Sequence, residues 1–417
     1  MTVLTSHLLA RAAARHLGER AAAPTFAFSV VYLNFSPVAY RGFQLETVQS
    51  FFACMAAAFG LRALSTSEDH ETSMQSPCDA RGAIGNCFWL GLFAGVAAML
   101  KPTAAAVAGA FVFVLLARRR PMLKLAIATV VGFLIAPVLV FVWAWRAGLL
   151  PDMLPLFHEI SLYANGTPMD AADWIKPVVA AIVAGFPFIV AWICRTGAVP
   201  AARLNQSSCY LQFTLIWLVL ELAGVILQRR MYTYHFLPLA PPMAMLFGYF
   251  CGGRRARAYA VAFVPILLLS LAHSRGDWAV LLSTGPRNLP QSDYLLAHAT
   301  PADTVVGDPI ERLLMETRLR AGSRYGHLFY FCNHDEAPLE YGRRFLEDLD
   351  RNKPTWAVFR IDRIAHRTLQ AAEQTLLSER PRREANFFAA WEQIDAYLSA
   401  HYQPVAQAGE MTIFRRK

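Results

Sequence analysis

The sequence predicts a polytopic α-helical membrane protein of about nine transmembrane helices with a soluble α/β domain at its C-terminal end. Three observations carry this prediction. Hydrophobic residues make up 55% of the 417 residues and charged residues only 17%, where a soluble domain carries about a quarter. Long apolar runs dominate up to about residue 272, and charges are dense from about 273 onward. Lys and Arg fall in the short loops between the runs, as the topology of a membrane protein requires. The composition shift divides the chain into an N-terminal segment at 1–21, a transmembrane domain at 22–272 and an α/β domain at 273–417.

The net charge of +9 is spread over those loops. No single face or run carries a nucleic-acid pattern, so topology and membrane contact account for it. The seven cysteines show no CxxC spacing, and no His cluster accompanies them. That argues against a zinc site and against a disulfide framework. The first twenty residues carry Arg11, Arg15 and Arg20 after a short apolar start. They read as the tail of a helix entering the cytosol rather than as a cleavable signal.

Crossing the hydrocarbon core takes about twenty apolar residues. The runs predict spans at 22–40, 44–63, 87–100, 103–118, 123–145, 177–194, 209–227, 236–252 and 257–272. The third and fourth are short and flank Lys101-Pro102, as in a tight helical hairpin. One set of loops holds the N-terminal arginines with Arg62, Arg81, Arg118, Arg119, Arg120, Lys124, Arg195, Arg203, Arg254, Arg255 and Arg257. The other set holds Arg41, Lys101, Arg146, Lys176, Arg229 and Arg230. The first is richer by roughly two to one and is therefore expected in the cytoplasm. This puts the N-terminus inside and, with nine spans, the C-terminal domain outside the cell membrane.

In the C-terminal domain, Tyr294-Leu295-Leu296 predicts a short helix and Thr304-Val305-Val306 a strand. Tyr341, Phe345 and Leu349 recur at helical spacing. So do Leu369, Ala372 and Leu376, and Phe388, Trp391, Ile394 and Leu398. Trp356–Phe359 reads as a buried strand, and Met411–Phe414 as another. Its acidic and titratable residues, such as Asp303, Asp308, His334, Asp335 and Glu336, read as loop residues without a catalytic constellation.

The candidate chemistry gathers at the outer ends of the spans. Arg41 and Glu46 lie in YRGFQLETVQSFF, with Glu46 near the first turn of a helix that opens outward. The helix dipole attracts a negative side chain there. A carboxylate at a cavity mouth serves as a base or as a metal ligand; a solvated interfacial Glu is the plainer reading. Lys101 lies in GLFAGVAAMLKPTAAAV, and Pro102 suits a first helical position. A lysine beside free helical amides is an anion site for phosphate, or else a lysine snorkelling to headgroups. The Gly91, Gly95 and Ala98 spacing predicts close helix packing.

A third cluster is QRRMYTYHFLPLAPPMAML, residues 228–246. Arg229, Arg230, Tyr234 and His235 precede an outward helix start. An interfacial aromatic and basic belt and a lipid-phosphate site need much the same residues, and both readings stand. Glu221 lies inside the seventh span. An intramembrane carboxylate is a functional candidate, or a protonated one bonded to a neighbouring helix. The loop at 146–176, with His158 and Glu159, is long enough to cover a cavity.

At these residues the chain resembles the GT-C type glycosyltransferases, among them protein O-mannosyltransferase-like and aminoarabinose-transferase-like enzymes. GLFAGVAAMLKPTA is similar to their Gly-rich helix followed by Lys-Pro/Tyr. RRMYTYHFLPLAPPMAMLFG resembles their Arg, Tyr-Tyr and Leu-Pro helix start. FSPVAYRGFQLETVQSFF resembles the segment carrying their second acidic residue, which places Glu46 there. YLSAHYQPVAQAGEMTIFRR resembles the close of their exoplasmic domain.

The resemblance implies a transferase that moves a sugar from a polyprenyl-phosphate-linked donor to a lipid, glycan or protein acceptor on the outer face. It implies that Lys101, with Arg229 or Arg230, holds phosphate. It places Glu46 near a divalent metal cation or the acceptor. The main catalytic carboxylate of such enzymes lies in a first outer loop after a first helix, and this sequence reads as starting at the end of the second helix. A truncated chain and an inactive or divergent relative are the two expectations that follow. The rival function is a non-catalytic membrane protein, such as a lipid-linked-glycan transporter or a partner subunit.

Overall fold

The computed structural model describes residues 1–35, 45–68, 77–117, 123–151, 153, 204–227, 233–251, 289–308, 310–326, 331, 335–360 and 381–417. They form two compact units, one of helices up to Cys251 and one of helices and strands from Pro290. The boundary expected near 272 falls outside the described residues.

The first unit contains α1 (Thr2–Leu17), α2 (Ala22–Phe35), α3 (Leu45–Glu68), α4 (Pro77–Leu100), α5 (Ala106–Ala117), α6 (Leu123–Arg146), α7 (Leu204–Leu227) and α8 (Ala240–Cys251). Short 3-10 turns at Pro102–Ala105 and Thr233–Leu239 lead into α5 and α8. Helix α4 packs between α3 and α6, α5 lies on α7, and α8 packs on α2, α7 and α1.

Four helical stretches among the described residues are long and apolar enough to cross a membrane: Leu45–Ser65, Arg81–Leu100, Leu123–Arg146 and Ser208–Leu227. Pro102–Ala117 is apolar but shorter. The spans expected at 177–194 and 257–272 lie outside the described residues. Helix α6 shows why lipid is the natural surroundings. Leu134, Val138, Leu139, Phe141, Trp143 and Trp145 are all exposed, and a helix that turns such a face outward is stable against hydrocarbon, not water.

The expectation of a short third span is corrected. Helix α4 runs through Gly82, Gly85 and Asn86, which interrupt the apolar run and not the helix. Backbone i to i−4 bonding does not depend on an apolar side chain, and its candidate span is 20 residues long. The small-residue spacing does mark close packing. A Cβ on Gly91 would sit 2.0 Å from the Thr129 carbonyl oxygen, and one on Gly95 would sit 2.2 Å from that of Phe133. Helices α4 and α6 therefore meet backbone to backbone, as small residues at a membrane helix interface allow.

The second unit is α/β. Its elements are α9 (Pro290–His298), β1 (Thr304–Gly307), α10 (Glu311–Thr317), β2 (Arg320–Ala321), α11 (Ala337–Asn352), β3 (Trp356–Arg360), α12 (Pro381–His401), β4 (Tyr402–Ala408) and β5 (Met411–Arg416). The sheet order is β2-β1-β3-β5-β4. β1 runs parallel to β2 and β3, and β5 antiparallel to β3 and β4. Both faces of β3 are covered, so it reads as a continuous apolar run. Ala357 and Phe359 join Phe345, Leu349, Trp391 and Ile394 on one face. Trp356 and Val358 join Leu295, Val305, Leu313 and Ile413 on the other.

The helices and strands expected around Tyr294, Thr304, Tyr341, Trp356, Trp391 and Met411 all form. On α12 it is Phe387 that enters the core with Trp391, Ile394 and Leu398, while Phe388 is only partly buried. Leu369, Ala372 and Leu376 lie outside the described residues. Edge strand β4 carries Pro404 with a register shift between Pro404 and Ala406, a position where a missing N–H costs no central ladder bond. Gly409 supplies the positive φ of 63° in the hairpin turn to β5.

Candidate functional site

Glu46 lies in the first turn of α3, and Lys101 links the end of α4 to the Pro102–Ala105 turn. Lys101 is extended, with φ −155° and ψ 120°. Its backbone N–H still closes the last turn of α4 by donating to the Ala97 carbonyl. Pro102 then starts the next helical turn without needing an amide partner. The break between two helices is what frees the lysine side chain to leave the helix axis.

That side chain reaches α3. Lys101 Nζ donates to Glu46 Oε1 at 2.9 Å, and the two side chains are only 15% and 7% exposed. A buried ion pair of this kind joins two helix starts that are 55 residues apart in sequence. The turn that follows Lys101 packs against α7, which carries Glu221. Glu221 is buried, and the Trp217 indole N–H donates to its Oε1 at 3.1 Å. Its other oxygen, Oε2, finds no hydrogen-bond partner among the described residues.

Helical phase explains why these groups meet. On α3 the buried positions include Glu46, Gln49, Ser50, Ala53, Cys54 and Ala57, a stripe at i, i+3, i+4, i+7, i+8 and i+11. On α7 the buried positions are Tyr210, Phe213, Thr214, Trp217, Glu221 and Val225. The Pro102–Ala105 turn packs against both helices. A Cβ on Gly224, one turn beyond Glu221, would lie 3.0 Å from the Thr103 side chain.

Of the residues singled out by sequence, Glu46 and Lys101 come together, and Glu221 lies on α7, which packs against α3 and the turn that follows Lys101. His235 is buried in the Thr233–Leu239 turn, which packs on α3 and α7. Tyr234 shares that turn, with its side chain outside the described set. Arg41, His158, Arg229 and Arg230 lie outside the described residues. Two polar groups were not singled out by sequence: Gln49, which is fully buried, and the buried hydroxyl of Thr103. The only signal for Gln49 is an amide three residues after Glu46 on an otherwise apolar stripe.

Among the described residues the donor set for a divalent cation is incomplete. No group of three His, Cys, Asp or Glu side chains comes together among the described residues. The Glu46 oxygen facing the cluster is bound to an ammonium. A hard divalent ion takes several oxygen ligands, and a single carboxylate shared with a lysine is a poor start. The positive charge here is supplied by Lys101.

No family model matches the sequence, and no curated protein sequence matches it. Two solved structures do match its fold. ArnT from Cupriavidus metallidurans bound to undecaprenyl phosphate superposes with a TM-score of 0.61 at 15% identity, over 99% of this chain and 82% of that one. The same protein in its apo state gives 0.60 at 14% identity, over 99% and 81%. This chain therefore has the GT-C fold of ArnT, a membrane-protein fold.

Proposed function

We propose that the chain is a membrane glycosyltransferase that moves a sugar from a polyprenyl-phosphate-linked donor to a lipid, glycan or protein acceptor. The observation that carries the reading is the buried Glu46–Lys101 pair at two helix starts, within a fold shared with ArnT, one structure of which is bound to undecaprenyl phosphate.

Each residue has a role suited to its chemistry. The Lys101 ammonium has three donors. One is spent on Glu46 and no other hydrogen-bond partner stands among the described residues, which leaves donors for a phosphate oxygen. Charge-assisted bonds from an ammonium to a phosphate are among the stronger hydrogen bonds. As the sugar–phosphate bond breaks, negative charge grows on the departing lipid phosphate, and a fixed cation stabilises that charge most where water is excluded. Glu46 takes the proton of the acceptor hydroxyl as it attacks the sugar carbon. Attack from the side opposite the leaving phosphate inverts the sugar. No step requires a metal.

In this reading the site opens on the outer face of the cell membrane, with the N-terminus in the cytoplasm and the α/β unit outside. The bias of Lys and Arg among the loops supports that direction.

The test is transfer of labelled sugar from a polyprenyl-phosphate donor by membranes containing the chain. Wild type transfers label, Glu46→Gln loses at least about a hundredfold, in the range typical of a lost general base, and Lys101→Ala loses transfer as well. Activity unchanged in both variants removes these residues from the site. Donor binding without any transfer by the wild type favours the non-catalytic reading instead.

A further inference from the structure

The ion pair accounts for only part of the polar chemistry buried at this point of the bundle. Three more polar side chains stand around it with atoms that no described residue satisfies. Both Oε1 and Nε2 of Gln49 are buried without a partner, and so are Oε2 of Glu221 and Oγ1 of Thr103. Gln49 and Glu221 are 0% and 1% exposed. Buried polar groups in folded proteins almost always find partners, so several orphaned together mark a place where another molecule completes the bonding.

Their placement is shared. Gln49 lies on the buried stripe of α3, one turn beyond Glu46, which bonds Lys101, and α3 packs against α7, which carries Glu221. Glu221 is one turn before Gly224 on α7, the helix that packs against the turn following Lys101. Thr103 is two residues beyond Lys101 and faces α7 at Gly224. The orphaned atoms therefore belong to three elements, α3, α7 and the Pro102–Ala105 turn, that pack on one another beside the proposed phosphate-binding lysine.

The mix of atoms identifies the ligand class. Gln49 offers one acceptor and a two-hydrogen donor, Thr103 a hydroxyl that does both, and Glu221 an acceptor. An inorganic anion has no use for the Gln49 amide oxygen, and an apolar chain has no use for any of them. A sugar ring, with adjacent hydroxyls that donate and accept, uses all three. We infer that Gln49, Thr103 and Glu221 bind the hydroxyl groups of the donor's sugar and set which sugar the protein accepts. This inference rests on the glycosyltransferase reading above, and it assigns the sugar-binding side of that same site. Specificity is the expected role, because a site built to bond a hydroxyl rejects an analogue that lacks it.

The experiment measures binding to the full-length protein in nanodiscs of undecaprenyl phosphate alone and of undecaprenyl phosphate carrying glucose or arabinose. Wild type, Gln49→Leu and Thr103→Val are compared. The expected result is that at least one sugar-bearing lipid binds wild type tenfold or more tighter than the bare lipid. That gain shrinks to less than threefold in both variants, while affinity for the bare lipid is unchanged. Thermal melting of the ligand-free protein is the second readout. Gln49→Leu keeps or raises the midpoint, because no bond is lost, whereas a glutamine with a structural partner would lower it. A sugar-dependent gain that survives in both variants overturns the assignment, and so does the absence of any gain in wild type. If even the bare lipid fails to bind wild type, the glycosyltransferase reading fails and this assignment falls with it.

Discussion

Lys101 Nζ sits 2.9 Å from Glu46 Oε1, and neither side chain is more than 15% exposed. The pair links α3 to the break between α4 and α5, so it fixes two helix starts as well as gathering charge. Removing one partner leaves the other charge buried and unmatched, which costs about 3 kcal/mol or more. Replacing both by apolar groups avoids that penalty. Thermal unfolding in detergent is thus expected to show Lys101→Met and Glu46→Leu each strongly destabilised, and the double variant close to wild type. Additive losses would mean that the two side chains do not interact.

Helices α4 and α6 meet through glycine. A methyl group at Gly91 would stand 2.0 Å from the Thr129 carbonyl oxygen, and backbone cannot swing aside as a flexible side chain can. Gly91→Ala is therefore expected to cost about 1–3 kcal/mol, the usual range for overpacking. Gly85, with nothing within 4 Å of an added Cβ, is the control, and Gly85→Ala is expected to be neutral or slightly stabilising because alanine favours helix. The thermal midpoints of the two variants decide the matter.

Asp348 gives the second unit a defined acid sensitivity. Burial works to raise its pKa, but hydrogen bonds from the Arg324 side chain and backbone, the Arg324 charge and the Ser323 hydroxyl outweigh burial and hold it below the ordinary aspartate value. A carboxyl whose folded pKa is depressed contributes stability above its unfolded value, near 3.9. The contribution is lost as pH falls through the lower folded value. Amide protection in β3 and α11 peptides, with rates corrected for intrinsic exchange at each pH, is expected to be high at pH 5 and to fall on acidification below the ordinary aspartate value. Asp348→Asn should be less protected at pH 5 and change less on acidification. Equal pH dependence in the two proteins would remove Asp348 as the cause.

In the proposed reading Lys101 provides the cation of the site, and no group of three metal-ligating side chains comes together among the described residues, so chelation has a clear expected outcome. EDTA should leave undecaprenyl phosphate binding unchanged within twofold. A tenfold loss restored by magnesium or manganese would place a metal beside Glu46 after all.

The sequence shows some of this site and conceals the rest for physical reasons. Lys101 is legible because Pro102 announces a new helix start beside it, and Glu46 because a carboxylate sits in the first turn of an apolar helix. Their contact is not legible, since it spans 55 residues and depends on how α3 packs against α4. Gln49 is concealed by its setting: one amide on an apolar helix reads as tolerated polarity until burial shows that both its atoms are orphaned. In the second unit β3 is plain, because both its faces are covered and all its core residues are apolar. β4 is not, because an edge strand carrying Gln403, Pro404 and Gln407 has neither strict alternation nor an apolar run. The length of α4 is concealed in the same way by Gly82, Gly85 and Asn86.

In the proposed reading Lys101 holds the phosphate while Glu46 acts on the acceptor, so the two variants must fail differently. Titrating undecaprenyl phosphate into wild type, Lys101→Ala and Glu46→Gln, alongside turnover, separates the roles. The predicted result is that Lys101→Ala weakens binding at least tenfold, the scale of about 1.4 kcal/mol, whereas Glu46→Gln binds the lipid within threefold of wild type and still does not turn over. Lipid binding by Lys101→Ala equal to that of wild type would contradict the account.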